Sequence, residues 1–346
     1  MKNRSFVYVL EVVTSLLLVG GLFYAGFFVT PVVHIKKIDK FPFERRDCLY
    51  SSVALDDKGQ SLSIAGSYGK ILRSEDGGAN WAIQQTPTKA HLQKLVAWDK
   101  NTMLAIGDNA TVLTTRDAGK SWNLIKTPTY ERGDVLLTAF LEPGGRAWIA
   151  GNMGMVLVSD DKGATWRMTH PQEDVSWNGI AVTKGQNDWL VGEAGKLQPS
   201  RDDGKTWEKV TVATDASLNA IAFSDENHGV MVGLSGAILA TANGGKSWQS
   251  VNSGIQTHLY GLMWDGQTYS AVGDAGMILT SDAQGSVWKA GKLDPNNFGW
   301  YTGIAKAGDA YIVSGAGAGI YSKGKWSPFI PGQADYKNMK KGGSNG

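Results

Sequence analysis

Two kinds of apolar pattern divide this chain. The first is one long run near the start. After Lys2 and Arg4, apolar residues begin at Phe6, are interrupted by Glu11, and continue without charge from Val12 to Val33. That stretch of 22 residues meets the ~20 that a helix needs to cross a bilayer. A cleaved signal would have an apolar centre of roughly 7–15 residues and a small-residue exit, whereas the exit here reads FFVTPVVHIKK. The pattern predicts a stub at 1–5, a retained transmembrane helix at 6–33, and a linker or closing strand at 34–47. The second pattern is short and recurrent. Apolar segments of strand length, such as LNAIAF from Leu218, LYGLMW from Leu259 and YTGIAK from Tyr301, return through residues 48–332.

Each return carries the same sequel. A tip of turn formers follows, as in SDENHG (Ser224 to Gly229), and residues of this kind close tight loops. A second strand then ends in a glycine-bounded turn: GSYG at Gly66, GNMG at Gly151, GEAG at Gly192, GLSG at Gly233, GDAG at Gly273. A third strand leads into an eight-residue box. The boxes are SEDGGANW (Ser74 to Trp81), TRDAGKSW (Thr115 to Trp122), SDDKGATW (Ser159 to Trp166), SRDDGKTW (Ser200 to Trp207), TANGGKSW (Thr241 to Trp248) and SDAQGSVW (Ser281 to Trp288). SKGKW (Ser322 to Trp326) is a shortened seventh. Successive tryptophans lie 41, 44, 41, 41, 40 and 38 residues apart. A period near 40 with four strands per repeat predicts an all-β, seven-bladed β-propeller. The polar, glycine-ended tail at 333–346 is expected to be disordered or held by a partner.

The box reads as scaffold. Its aspartate (Asp76, Asp117, Asp161, Asp202) can accept hydrogen bonds from its own turn, its glycine suits a left-handed backbone, and its tryptophan (Trp81, Trp122, Trp166, Trp207, Trp248, Trp288, Trp326) suits the gap between twisted sheets. A calcium site would want six to eight oxygen ligands. The box supplies one regular carboxylate, and Asn243 and Ala283 replace it in two copies.

Composition adds exclusions. Forty-four glycines and 13 tryptophans fit many short strands and turns. A net charge of +2 lacks the clustered basic excess of a nucleic-acid binder. Cys48 is the single cysteine, so there is no internal disulfide and no cysteine cluster for zinc. His34, His91, His170, His228 and His258 are scattered without metal spacing. No cofactor, metal or catalytic set is expected. Asp108, Glu193 and Asp274, at equivalent turns, form an acidic rim. Read otherwise, they would be catalytic carboxylates of a glycan-active hydrolase, or the propeller would bind a glycan or lipid.

The box S/T-x-D-x-G-x-S/T-W is the Asp-box, or bacterial neuraminidase repeat. Sialidases carry it on six blades with an arginine triad and a tyrosine nucleophile, a set this chain lacks. Together with phrases such as AVGDAGMILTS (Ala271 to Ser281) and GSYGKILRSEDGGANW (Gly66 to Trp81), the chain resembles the photosystem II assembly and stability factor-like family over residues 48–332. The resemblance implies a non-catalytic propeller that scaffolds, assembles or regulates a membrane protein complex. It also implies a propeller on the periplasmic side of the inner membrane. Some relatives accompany transporters of the resistance-nodulation-division class, so an accessory subunit of such a transporter is one expected role.

A partner would find specificity where the repeats differ. The boxes are near copies. The turns between second and third strands vary, and with the connectors between repeats they gather at the opposite face. Tyr68, Asp108, Asn109, Glu193 and Asp274 from the turns, with Tyr130, Arg132, Trp177 and Phe298 from the connectors, are the expected partner-binding residues, because aromatics and arginine are the usual interface anchors.

Overall fold

The protein is described here by a computed structural model, which describes the helix Lys2–Phe28 and residues 41–44, 46–130, 133–183 and 187–329. The chain forms two units, Met1–Lys40 and Phe41–Gly346. The first contains the helix. Its charge-free stretch, Val12 to Phe28, is about 26 Å long at 1.5 Å per residue, short of the ~30 Å hydrocarbon core of a bilayer. Thr14 turns its hydroxyl back onto the carbonyls of Leu10 and Glu11, at 2.9 and 3.0 Å. Among the described residues no helix is long and apolar enough to cross a membrane. The expected single-pass anchor, and the inner-membrane, periplasm-facing placement built on it, are therefore corrected to an N-terminal helix. Residues 29–33, which completed the expected span, lie outside the described residues. So do residues 34–40, expected as linker or closing strand, and the tail at 333–346.

The second unit is a ring of seven antiparallel sheets. Blade 1 comprises Ser51–Ala54, Leu62–Ala65, Ile71–Ser74 and Ala82–Gln84. The first strands of the other blades are Leu92–Ala97, Leu136–Leu141, Trp177–Val182, Leu218–Phe223, Leu259–Trp264 and Tyr301–Ala307. Blade 4 has three full strands, and the single bridge Leu197–Val210 stands where a fourth is expected. Second strands such as Met103–Gly107, Ala147–Gly151 and Gly229–Gly233 are buried at every position. They are apolar on both faces because each sheet packs between two others.

First strands pack side by side around the centre, and that of blade 7 meets that of blade 1. Blade 7 takes its four strands from one continuous segment, Tyr301 to Pro328. Its seam with blade 1 is closed by bonds and rings. Leu49 N–H donates to the Gly315 carbonyl at 2.8 Å, the Thr302 hydroxyl to the Tyr50 carbonyl at 2.7 Å, and Ser314 to the Ser52 hydroxyl at 3.0 Å. Phe43 stacks on Phe329 and meets the edge of Trp81, both at 5.4 Å between centroids.

The boxes lie on the same side as the hairpins between first and second strands. The N–H of Ala118 donates to Asn101 O, and that of Gly244 to Asn227 O. Asp117 Oδ1 accepts from the Thr115 hydroxyl (2.8 Å) and the Ser121 N–H (2.9 Å), and Oδ2 from the Ser121 hydroxyl (2.6 Å). Asp76, Asp161 and Asp202 repeat the pattern. Asn243 keeps the Oδ1 bonds and donates its amide to Ser247. In the sixth box the role passes to Asp282, one place early, which accepts from the N–H and hydroxyl of Ser286. Ala283 is therefore a shift of the box, not its loss. Among the described residues no group of three or more His, Cys, Asp or Glu is placed to hold a metal.

Box glycines lock blade to blade. A Cβ on Gly245 would lie 2.0 Å from Trp189 of the preceding blade, and one on Gly78 would lie 2.5 Å from Phe329. Trp122, Trp166 and Trp248 are buried, while Trp81, Trp207, Trp288 and Trp326 are half-buried. Trp122 also donates its indole N–H to Gln84 of blade 1 at 3.0 Å.

Asp188 opens the second strand of blade 4 at 2 % exposure, and its Oδ2 has no hydrogen-bond partner. Burial pushes its carboxyl up to about 7, with Glu142 adding to the shift and Arg146 opposing it. Arg146 is itself paired with Asp160 at 3.0 Å and Asp203 at 3.2 Å.

Trp122→Ala is expected to cost about 3–5 kcal/mol in urea unfolding, the range for a buried aromatic, and Trp326→Ala less, because it is half-buried. Wild-type stability in the first variant would contradict the inter-blade role. A carboxyl raised on folding favours the native state below its unfolded value near 4, and that stability is lost as pH rises through about 7. Asp188→Asn should therefore raise the melting temperature at pH 8 and change it little at pH 4. The hydroxyl and backbone donors of the i+4 residue hold Asp117 and Asp161 down to about 2. Their contribution is present above about pH 4 and lost as pH falls through 2. An acid titration followed by circular dichroism should lose its low-pH slope progressively as box aspartates are replaced by Asn.

Candidate functional site

The face opposite the boxes is built from the turns between second and third strands. In each, the first glycine has extended backbone, so its left-handed freedom is not what selects it. Close approach is: a Cβ on Gly107 would sit 1.9 Å from the His91 carbonyl, and on Gly273 the same distance from that of His258. The next residue then donates its N–H to that carbonyl. Asp108 reaches His91 at 3.0 Å, Glu193 reaches Ser176 at 3.3 Å and Asp274 reaches His258 at 3.0 Å. This bond ties each turn to the residue just before its blade's first strand. The following position is left-handed without being glycine: Tyr68 (φ 57), Asn109 (φ 56), Met153 (φ 55), Ala194 (φ 52), Ser235 (φ 55) and Ala275 (φ 54). A β-carbon there costs on the order of 1–2 kcal/mol.

Tyr68 stands out among these. It is 71 % exposed, and its ring lies 5.1 Å from that of His91. His91 meets Tyr50 edge-on at 6.2 Å, and Tyr50 stacks on Trp300 at 5.8 Å. The four rings form a row across blades 7, 1 and 2, over the seam where the ring closes. Burial pushes the Tyr50 phenol up to about 12, with Cys48 and Asp108 adding to the shift. Phe298 is 75 % exposed in the connector leading to Trp300, and Lys292 Nζ lies 4.7 Å over its ring.

The rim carboxylates are each engaged within their own blade. Asp108 accepts from Gln93 at 2.9 Å, Glu193 from the Ser176 N–H at 3.1 Å, and Asp274 from the Tyr260 hydroxyl at 3.1 Å. Burial, with Asp274 beside it, pushes the Tyr260 phenol up to about 12. Tyr260 thus stays protonated at neutral pH, a donor to the rim.

Two expected docking residues are placed elsewhere. Trp177 is fully buried at the start of its strand, in one core cluster with Trp148, Val175 and Leu190. The repeat puts it at the position that leucine holds in most blades, which faces inward. Tyr130 is half-buried and donates its hydroxyl to the His170 carbonyl, joining two connectors. Arg132 lies outside the described residues. Sequence reasoning passed over Tyr50, His91, Trp300, Tyr260 and Gln93. Their common feature was readable: each lies one residue before or after the first apolar position of a first strand, a column that the repeat itself defines.

The model for photosynthesis system II assembly factor YCF48 matches residues 83–175 and 200–325. No curated protein sequence matches the chain. Among solved structures, YCF48 bound to D1 peptide superposes with a TM-score of 0.64 at 16% identity, over 78% of this chain and 90% of that one. YCF48 from Cyanidioschyzon merolae gives 0.64 at 15% identity, over 81% and 96%. The WD40 β-propeller domain of Doa1 gives 0.64 at 12% identity, over 80% and 92%. At these identities the superpositions show the propeller fold alone. The family match spans more than half of the residues, and by it this chain belongs to the photosynthesis system II assembly factor YCF48 family.

Proposed function

We propose that the propeller is a non-catalytic assembly factor whose turn face holds an extended segment of a client protein. The observation that carries this reading is Tyr68, an aromatic held exposed in a left-handed conformation at the end of a four-ring row. The left-handed conformation recurs in six of these turns, but only here does it carry an aromatic ring, held out into solvent. Rings of this kind bury large area at small entropic cost, and the neighbouring acceptor Asp108 suits a backbone N–H group of a peptide. The YCF48 structure bound to D1 peptide supports a peptide as the ligand class. A client that is an integral membrane protein, a transporter of the resistance-nodulation-division class included, is the finer form of the proposal.

The full-length protein should co-purify its client in mild detergent, identified by mass spectrometry. Tyr68→Ala combined with Trp300→Ala should reduce recovery at least tenfold, which is about 1.4 kcal/mol. Lys120→Ala with Lys246→Ala, on the box face, should leave recovery unchanged. Equal recovery by both variants, or loss only in the second, would overturn the assignment of the face.

A further inference from the structure

The first strands enclose a central channel of about 630 Å³, within the range of roughly 300–1,000 Å³ typical of small-molecule sites. Much of its wall is apolar, with Val96, Phe140, Ile180, Ile221, Leu262 and Ile304 contributing from six blades. Most of the polar residues that line it direct a donor elsewhere. Asn178 and Asn219 donate to the Leu218 and Leu259 carbonyls of the next blade at 3.1 and 2.8 Å, and Thr302 donates to Tyr50 O. Gln93 and Tyr260 bond to Asp108 and Asp274.

Lys94 differs. It follows the bulge at Gln93 in the first strand of blade 2, is half-buried, and its ammonium makes no hydrogen bond or ion pair among the described residues. Among the described residues no Asp, Glu, Arg or His lines the channel with it. The other blades carry Ser51, Thr138, Gly179, Ala220, Gly261 or Gly303 at this level, so five of the six are Ser, Ala or Gly. A charge without a counter-ion between apolar walls is costly, and the same burial lowers the pKa of the amine. An anion placed beside it would relieve that cost.

We propose that Lys94 makes the channel a binding site for a monocarboxylate with an apolar body. One lysine supplies one point charge, which balances a carboxylate and leaves a phosphate dianion unbalanced, and the surrounding wall takes the apolar remainder. The carboxylate has two possible sources, a free organic acid or the C-terminus of a polypeptide, and the probes separate them. The inference does not depend on the turn face, so Tyr68→Ala with Trp300→Ala should leave it intact.

Calorimetry on the full-length protein would use octanoate, octan-1-ol, and an Ala/Leu hexapeptide with either a free or an amidated C-terminus. Trp264, which lines the channel, supplies a fluorescence signal. Octanoate should bind with one-to-one stoichiometry and at least tenfold tighter than octan-1-ol, and Lys94→Met should weaken it at least tenfold while Lys94→Arg retains it. If only the free-carboxylate peptide shows this behaviour, the site stands with a chain terminus as its ligand. The proposal is overturned if neither carboxylate binds at 1 mM, if octan-1-ol or the amidated peptide binds as well as its acid, or if Lys94→Met binds like wild type. The wild-type comparison of acid with neutral analogue decides the matter even if Lys94→Met does not fold.

Discussion

Closure of the ring is the constraint on which this molecule depends. Seven twisted sheets can surround a channel only if every sheet finds its neighbour at the same spacing, and the last must find the first. The box sets that spacing from the outside. Its aspartate organises a turn that delivers a glycine against a side chain of the preceding blade, such as Trp189 beneath Gly245. Any β-carbon there would push two blades apart. From the inside, side chains such as Asn178 and Asn219 reach across to the next blade's carbonyls. The Thr302–Tyr50 bond closes the same circuit between blades 7 and 1. Packing fills what lies between.

A ring held in this way separates its two faces chemically. Box turns saturate their own carboxylates, so that side is repetitive and internally satisfied. The opposite turns are held by backbone bonds, among them one to the residue before the first strand, and that leaves their side chains free to differ. Aromatic rings consequently accumulate over the seam without disturbing the scaffold. The channel shares Tyr50, Gln93 and Tyr260 with the turn face. Its lining is decided by what the bulged first strands point inward, and blade 2 alone places an ammonium there at the level of Lys94.

Much of this was legible in the sequence, because a repeat with a tryptophan every forty residues leaves few architectures open. Blade number, strand order, the box as scaffold and the division into two faces all followed from local spacing and turn chemistry. The exceptions are instructive. Asp282 takes over its box from position 283 because a turn needs an acceptor four residues before a donor, and that geometry tolerates a one-residue shift that a pattern does not. The N-terminal run looked long enough to span a bilayer because apolar residues continue to Val33, but among the described residues no helix is long and apolar enough to cross one.

What the sequence determined by itself was the set of contacts made within forty residues: strands, turns and boxes, each dictated by φ preference and hydrogen-bond reach. Only the tertiary structure decided which residues from different repeats share a surface. Trp177 went to the core because its strand position faces inward, although its residue type suggested an interface. Tyr50, His91 and Trp300 became one row because ring closure brings residues 50 and 300 together. Lys94 became a solitary charge because six other blades place neutral residues opposite it. Those are long-range consequences of closure, and no local pattern contains them.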